Sequence, residues 1–178
     1  TRSVVEHLWK QVGITPDEIA LDQITKDFCE GVLAHPPAVL PGVKEALQDL
    51  SQDYYIALIS DTAFSPGPVL RQMMEIQGIV HFFNDFSFSD ETGVSKPHPL
   101  ALETAFRNAG GEPHEAVHIG DIERTDVVGA KNFGMKAIRF LGDNDPHVGN
   151  DHDQPTIADA EATSWPEVVQ IIRAMDRR

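Results

Sequence analysis

Over the first thirty-five positions the apolar residues recur at helical spacing; beyond them come short, nearly continuous apolar runs separated by amphipathic stretches. Val4, Val5, Leu8, Trp9 and Val12 share one helical face, and Gly13 ends that run. "TPDE", Thr15 to Glu18, predicts a second helix with Thr15 as N-cap, Pro16 at the first helical position and Glu18 three residues after the cap. Ile19, Leu21, Ile24, Phe28 and Val32 would face a partner from it. Three prolines and a glycine in "AHPPAVLPGV", Ala34 to Val43, break the pattern and mark a boundary.

After that boundary strands and helices alternate. The pattern predicts helices over Val43–Leu50, Val69–Gln77, Pro99–Ala109, Asp126–Phe133 and Trp165–Met175. It predicts strands in "YYIALIS" (Tyr54 to Ser60), "FNDFSFS", "AVHIG" (Ala116 to Gly120) and "MKAIRFL". The first and third of these read as strands covered on both faces. Such a rhythm implies an α/β layer with a parallel sheet, whose ligands bind at the carboxyl ends of the strands. The organisation expected is an N-terminal helical appendage, residues 1–38, on a core of residues 39–178.

A length of 178 residues suits one domain with a small appendage. A formal charge of −14 argues against nucleic acid or an anionic membrane as partner, because both demand basic patches. It leaves room for a small phosphorylated substrate, since a bound divalent cation reverses the local field. The single cysteine, Cys29, allows no intrachain disulfide and fits a cytoplasmic setting. No apolar run approaches the roughly 20 residues of a membrane span. The chain starts at Thr1, which raises the expectation of a processed, trimmed or incomplete sequence.

Polar clusters follow three of the predicted strands or loops. Ser60, Asp61 and Thr62 in "ISDT" either cap a helix or meet a phosphate, the hydroxyl donating to its oxygens beside backbone N–H groups. In "GVSKPHP", Lys96 is braced by prolines and offers a point charge to a phosphoryl group; His98 reads as a loop residue, a base or a metal ligand. In "HIGDIERTDVVGA", Gly120 permits a tight turn, Asp121 leaves the strand, and Asp126 falls near a helix start where the dipole favours a carboxylate. Two hard oxygen ligands with open positions suit magnesium better than zinc. Glu123 and Arg124 read as loop-surface residues. "GDNDPHVGNDHDQP" suggests calcium ligands but lacks a glutamate at the twelfth place, where Gln154 stands, and reads as a solvated loop. Met73, Met74 and Ile76 read as helix packing. No G-x-S-x-G elbow supports an esterase.

Taken in order, the hydroxyl after a strand, the "SKPHP" lysine and "GDIERTDVVGAKNFGM" resemble motifs two to four of the haloacid dehalogenase-like hydrolase superfamily, in its helical-cap phosphatase branch. The resemblance implies a Rossmann-like parallel sheet flanked by helices, with residues 1–38 as a partial helical cap. It implies that Ser60 holds the phosphoryl oxygen with Asp61 and Thr62 beside it, that Lys96 offsets charge, and that Asp121 binds Mg2+ with Asp126 supporting the metal site. The family's opening DxDxT strand, with its attacking aspartate, has no counterpart: Asp22 in "IALDQIT" lies in a helical segment. The chain is therefore expected to be N-terminally truncated and to lack the sheet's central strand. Direct pairing of its neighbours, another segment of the chain, a homo-oligomer completing the sheet, or an N-terminal piece missing from this sequence would close the gap. Activity without that strand would need another attacking group, such as metal-activated water with Asp61 or His98 as base. The alternative is a degenerate module that binds phosphate or a partner; a dehalogenase ranks third, since it needs the same aspartate.

Overall fold

The computed structural model describes residues 1–13, 15, 17–142 and 155–177. Pro16 and nearly all of the calcium-like loop lie outside those residues. Helices α1 (Arg2–Gln11) and α2 (Glu18–Ala34) pack on one another; Val5 and Leu21 are buried, and Arg2 pairs with Glu18 and Asp22. The N-cap of α2 is Asp17, not Thr15: its carboxylate accepts the Ala20 N–H at 2.8 Å, so the helix starts two residues later than the "TPDE" pattern suggests. Val4, Leu8, Val12 and Ile19 stay exposed on the outside of this pair, while the other side of α2 leans on α4 (Gly67–Ile76).

The remaining residues build an α/β layer. Strands β1 (Ala57–Ser60) and β2 (Asp85–Phe88) pair in parallel, with α3 (Val43–Leu50) before β1 and α4 as the crossover. Strand β1 starts at Ala57, three residues later than the apolar run, because the Ile56 N–H goes to the Asn84 side chain at 2.9 Å instead of a ladder. Short α5 (Ser89–Thr92) and α6 (Pro99–Phe106) lead to a second parallel sheet ordered β3 (Val117–Gly120), β4 (Lys136–Phe140), β5 (Ala160–Ala162). Between β3 and β4 lie a π-helical turn, Glu123–Val127, and α7 (Val128–Phe133); α8 (Trp165–Asp176) closes the chain. The short β5, "AEA", carries no strand pattern of its own and is fixed by its ladder to β4. No helix among the described residues is long and apolar enough to cross a membrane.

The two sheets do not join. No ladder links β1 to β3, and no described segment lies between them as a strand, so each keeps one edge without a strand partner. All four residues of β1 and of β3 are only half-buried, whereas four of the five in β4 are buried. The expectation that β1 and β3 are covered on both faces therefore fails: an unpaired edge leaves the flanks of a strand in reach of water.

The halves pack together through α6, which touches β1, β2 and α7, and through a second cluster that joins Leu50, Tyr54 and Ile56 to Val117, Ile119 and Ile138. Leu102 of α6 is buried with Val127, Ala130 and Ala137, and Ile59 of β1 packs on the same cluster. Replacing Leu102 by alanine leaves a cavity at this joint, with an expected loss of about 2–5 kcal/mol of unfolding free energy. Urea titration followed by circular dichroism measures it, and a loss no larger than that of an exposed helix position would refute α6 as a joint between the sheets.

Candidate active site

The site grows from the end of β3. A Cβ at Gly120 would fall on the Asp126 carboxylate, so glycine is what allows the strand end and that side chain to approach. The π-helical turn then aims Asp126 back at the strand: its N–H donates to the Ile122 carbonyl at 2.8 Å, and its Oδ2 accepts the Ile122 N–H at 2.9 Å. Oδ1 accepts from Lys96 Nζ at 2.6 Å and lies 3.4 Å from His118 Nε2. Asp126 is 2% exposed, and Lys96 keeps 15% of its side chain accessible. Burial by itself would raise the Asp126 pKa; the His118 ring, the Lys96 charge and the Ile122 N–H together outweigh it and hold the carboxyl well below the ordinary carboxylate range.

The loop that carries Lys96 is tied to β1. Asp61, directly after the strand, accepts the Lys96 backbone N–H on Oδ1 at 2.9 Å. Thr62 binds Ser89 twice, the Ser89 hydroxyl accepting the Thr62 N–H at 2.8 Å and meeting Thr62 Oγ1 at 3.0 Å. Of the "ISDT" residues, Ser60 alone has a hydroxyl that bonds to no described residue. Asp61 and Thr62 are thus occupied in shaping the loop. His98 stands apart as the N-cap of α6, where Nδ1 accepts the Leu100 N–H at 3.2 Å.

Asp121 follows β3, half-buried, with its carboxylate free of hydrogen bonds to the described residues. Both oxygens of Asp126, by contrast, already face donors. Among the described residues, no three or more His, Cys, Asp or Glu side chains converge as a ready-made cage. One open carboxylate backed by a second fits a hard cation that keeps most of its waters, and does not fit zinc.

Two contributors escaped the sequence reading. His118 shares a strand face with Gly120, an i, i+2 relation legible in "HIG" once the strand is accepted. Arg139, fully buried on β4, lies 3.9 Å from Glu123 and 3.7 Å from Glu161. Glu123 is consequently no loop-surface residue: it also accepts from Thr156 Oγ1 at 2.7 Å and from the Ile157 N–H at 3.0 Å, anchoring the π-helical turn. Beside Ser60 opens a cleft of about 410 Å³ whose far wall comes from Phe28 and Val32 of α2 and from Phe64 and Leu70.

A sequence model of haloacid dehalogenase-like hydrolases matches residues 4–134. The chain belongs to that family. It is 35% identical over 123 residues to a glyceraldehyde 3-phosphate phosphatase of Methanothermobacter thermautotrophicus, which covers 67% of this chain and 51% of that protein. A phosphoglycolate phosphatase of Mesorhizobium japonicum is 27% identical over 135 residues, covering 75% of this chain and 58% of its own. The chain thus spans about half the length of such relatives. Among solved structures, a 2-haloacid dehalogenase from Pseudomonas syringae superposes with a TM-score of 0.76 at 23% identity, over 98% of this chain and 70% of that one. An HAD phosphatase from Thermococcus onnurineus gives 0.63 at 21% identity, over 96% and 87%. These likenesses fix the haloacid dehalogenase fold for the α/β layer.

The buried pair sets a pH-dependent stability. Because the folded Asp126 pKa is depressed, its contribution is fully present above the unfolded value of 3.8 and is lost as pH falls from there toward the folded value. Asp126→Asn should cost about 3 kcal/mol at neutral pH by leaving Lys96 without its carboxylate, and the gap to the parent should narrow below pH 3.8. Thermal melts of both proteins across pH 2.5 to 7 check this, and a gap independent of pH would refute it.

Proposed function

We propose that this chain carries the phosphoryl-binding and metal-binding half of a Mg2+-dependent phosphomonoester hydrolase acting on small phosphorylated substrates. The observation that carries the reading is the convergence of the β1 end, the Lys96 loop and the β3 end through two hydrogen bonds, Lys96 N–H to Asp61 and Lys96 Nζ to Asp126. Three motifs far apart in sequence thereby meet at the carboxyl ends of parallel strands, where α/β proteins bind ligands. Phosphatases among the relatives, acting on glyceraldehyde 3-phosphate and on phosphoglycolate, agree in reaction class.

In this reading Ser60, whose hydroxyl bonds to no described residue, donates to one phosphoryl oxygen. Lys96 spends one N–H on Asp126 and turns the others toward the phosphoryl group, offsetting its charge. Asp126 is a positioning residue that keeps that ammonium aimed and charged. Asp121 would hold magnesium, with Asp126 behind it, and a cation there would supply Lewis-acid polarisation of the phosphoryl oxygens. Hydrolysis forms a bond from phosphorus to the oxygen of an entering water and breaks the bond to the ester oxygen, and the proton that the water gives up balances the one taken up by the leaving alkoxide. The residues 1–38 pair of helices acts as a cap segment over this edge.

The second reading, a module that binds phosphate or a partner without turnover, has the unpaired edges of β1 and β3 in its favour. Release of phosphate from p-nitrophenyl phosphate with 5 mM magnesium, measured with and without a chelator, separates the two (on the order of millimolar metal saturates a site of this kind). Expected is a rate lost on chelation and reduced at least about a hundredfold in Asp121→Ala and Lys96→Ala. Phosphate release insensitive to both the chelator and Asp121→Ala overturns the metal assignment, and none from the parent protein favours the module.

A further inference from the structure

We infer that the cleft beside Ser60 is built for an uncharged, apolar organic group on the phosphate, and selects against phosphate esters that carry a carboxylate. The inference rests on the phosphoryl-binding reading of Ser60 and goes on to the other end of the substrate. The cleft joins two unlike surfaces. Its floor is the polar end of β1, Ser60 to Thr62; its walls are Val32 of α2, Leu70 of α4 and a pair of rings, Phe28 and Phe64, whose centroids lie 5.4 Å apart. Both rings are close to half exposed, 46% for Phe28 and 45% for Phe64, so aromatic surface faces solvent and becomes available to a ligand.

Charge points the same way. No lysine, arginine or histidine lines the cleft among the described residues, and the charge that does is the Asp61 carboxylate. A second anionic group reaching past the phosphate would lose its hydration against phenylalanine and valine, find no cation, and lie in the field of Asp61. An aryl or alkyl group in the same place covers apolar surface at no such cost.

The wall also holds a position that tests the idea cleanly. Gly31 lines the cleft from within α2, and a Cβ there meets nothing within 4 Å. A Cβ at 31 therefore meets open space on the wall of the cleft, which makes this the position for a larger residue to narrow it, and leaving glycine in a helix interior raises helix propensity.

The experiment is calorimetric titration of the magnesium-loaded protein with phenylphosphonate and with phosphonoacetate, two anions without a hydrolysable ester, so binding is read apart from turnover. Expected is a phenylphosphonate affinity about tenfold higher. In Gly31→Leu that ratio should collapse toward one with the thermal midpoint kept or raised, and in Phe28→Arg it should invert. Phosphonoacetate binding as tightly as phenylphosphonate, a ratio unmoved by Gly31→Leu, or binding of neither anion would overturn the inference. The expected ratio in a protein that releases no phosphate from any ester would sustain the cleft while refuting the hydrolase reading.

Discussion

The contact between Lys96 and Asp126 is the constraint on which the rest of the site depends. A carboxylate that is 2% exposed cannot be left without partners, and a lysine that is mostly covered cannot be left without a counter-ion. Meeting both demands fixes the end of β3, the π-helical turn and the Lys96 loop relative to one another. Gly120 is required for the approach, the Ile122 N–H takes the second oxygen, and Asp61 carries the constraint on to β1 through the backbone of the lysine itself. The polar ends of two sheets that share no ladder are thus registered by a chain of hydrogen bonds, while α6 registers them through packing.

This arrangement separates the source of charge from the source of shape. Asp61, Lys96 and Asp126 sit on elements of the α/β layer, each held by a hydrogen bond to another segment, and Asp121 alone keeps an open carboxylate toward the described residues. The apolar wall of the cleft comes largely from one helix, α2, and from the loop residue Phe64, whose carbonyl accepts the Thr1 hydroxyl at 2.8 Å. Substitutions on α2 therefore reshape the cleft without disturbing the Lys96 and Asp126 pair.

Much of this was legible in the order of residues. Val43–Leu50 is a helix with the predicted bounds, and the α/β rhythm gave the parallel layer, because apolar periodicity and burial are the same physical fact seen twice. The candidate site residues stand out by type and order, whereas the contacts each one makes do not. That Asp61 accepts the Lys96 N–H and that the Thr62 N–H meets the Ser89 hydroxyl is invisible in the order of residues, a matter of which acceptor finds which N–H in three dimensions. Strand β5 was invisible because three residues of "AEA" owe their conformation to the β4 ladder. Arg139 gave no signal either, since a cation inside an apolar strand is told from a surface one only by the carboxylates that meet it, here Glu123 and Glu161.

The separate sheets have a colloidal consequence. Edge strands are ordinarily guarded by charged or proline residues, which make pairing with a second molecule unfavourable. The edges of β1 and β3 carry Ala57, Leu58, Ile59, Val117 and Ile119, the residues of an interior strand, and no lysine or proline lies within either. A repulsion that works against strand-to-strand association comes from the formal charge of −14 on this chain, and salt weakens it over the Debye length of about 10 Å at 0.1 M. Added salt is therefore expected to favour pairing at these two edges of this chain.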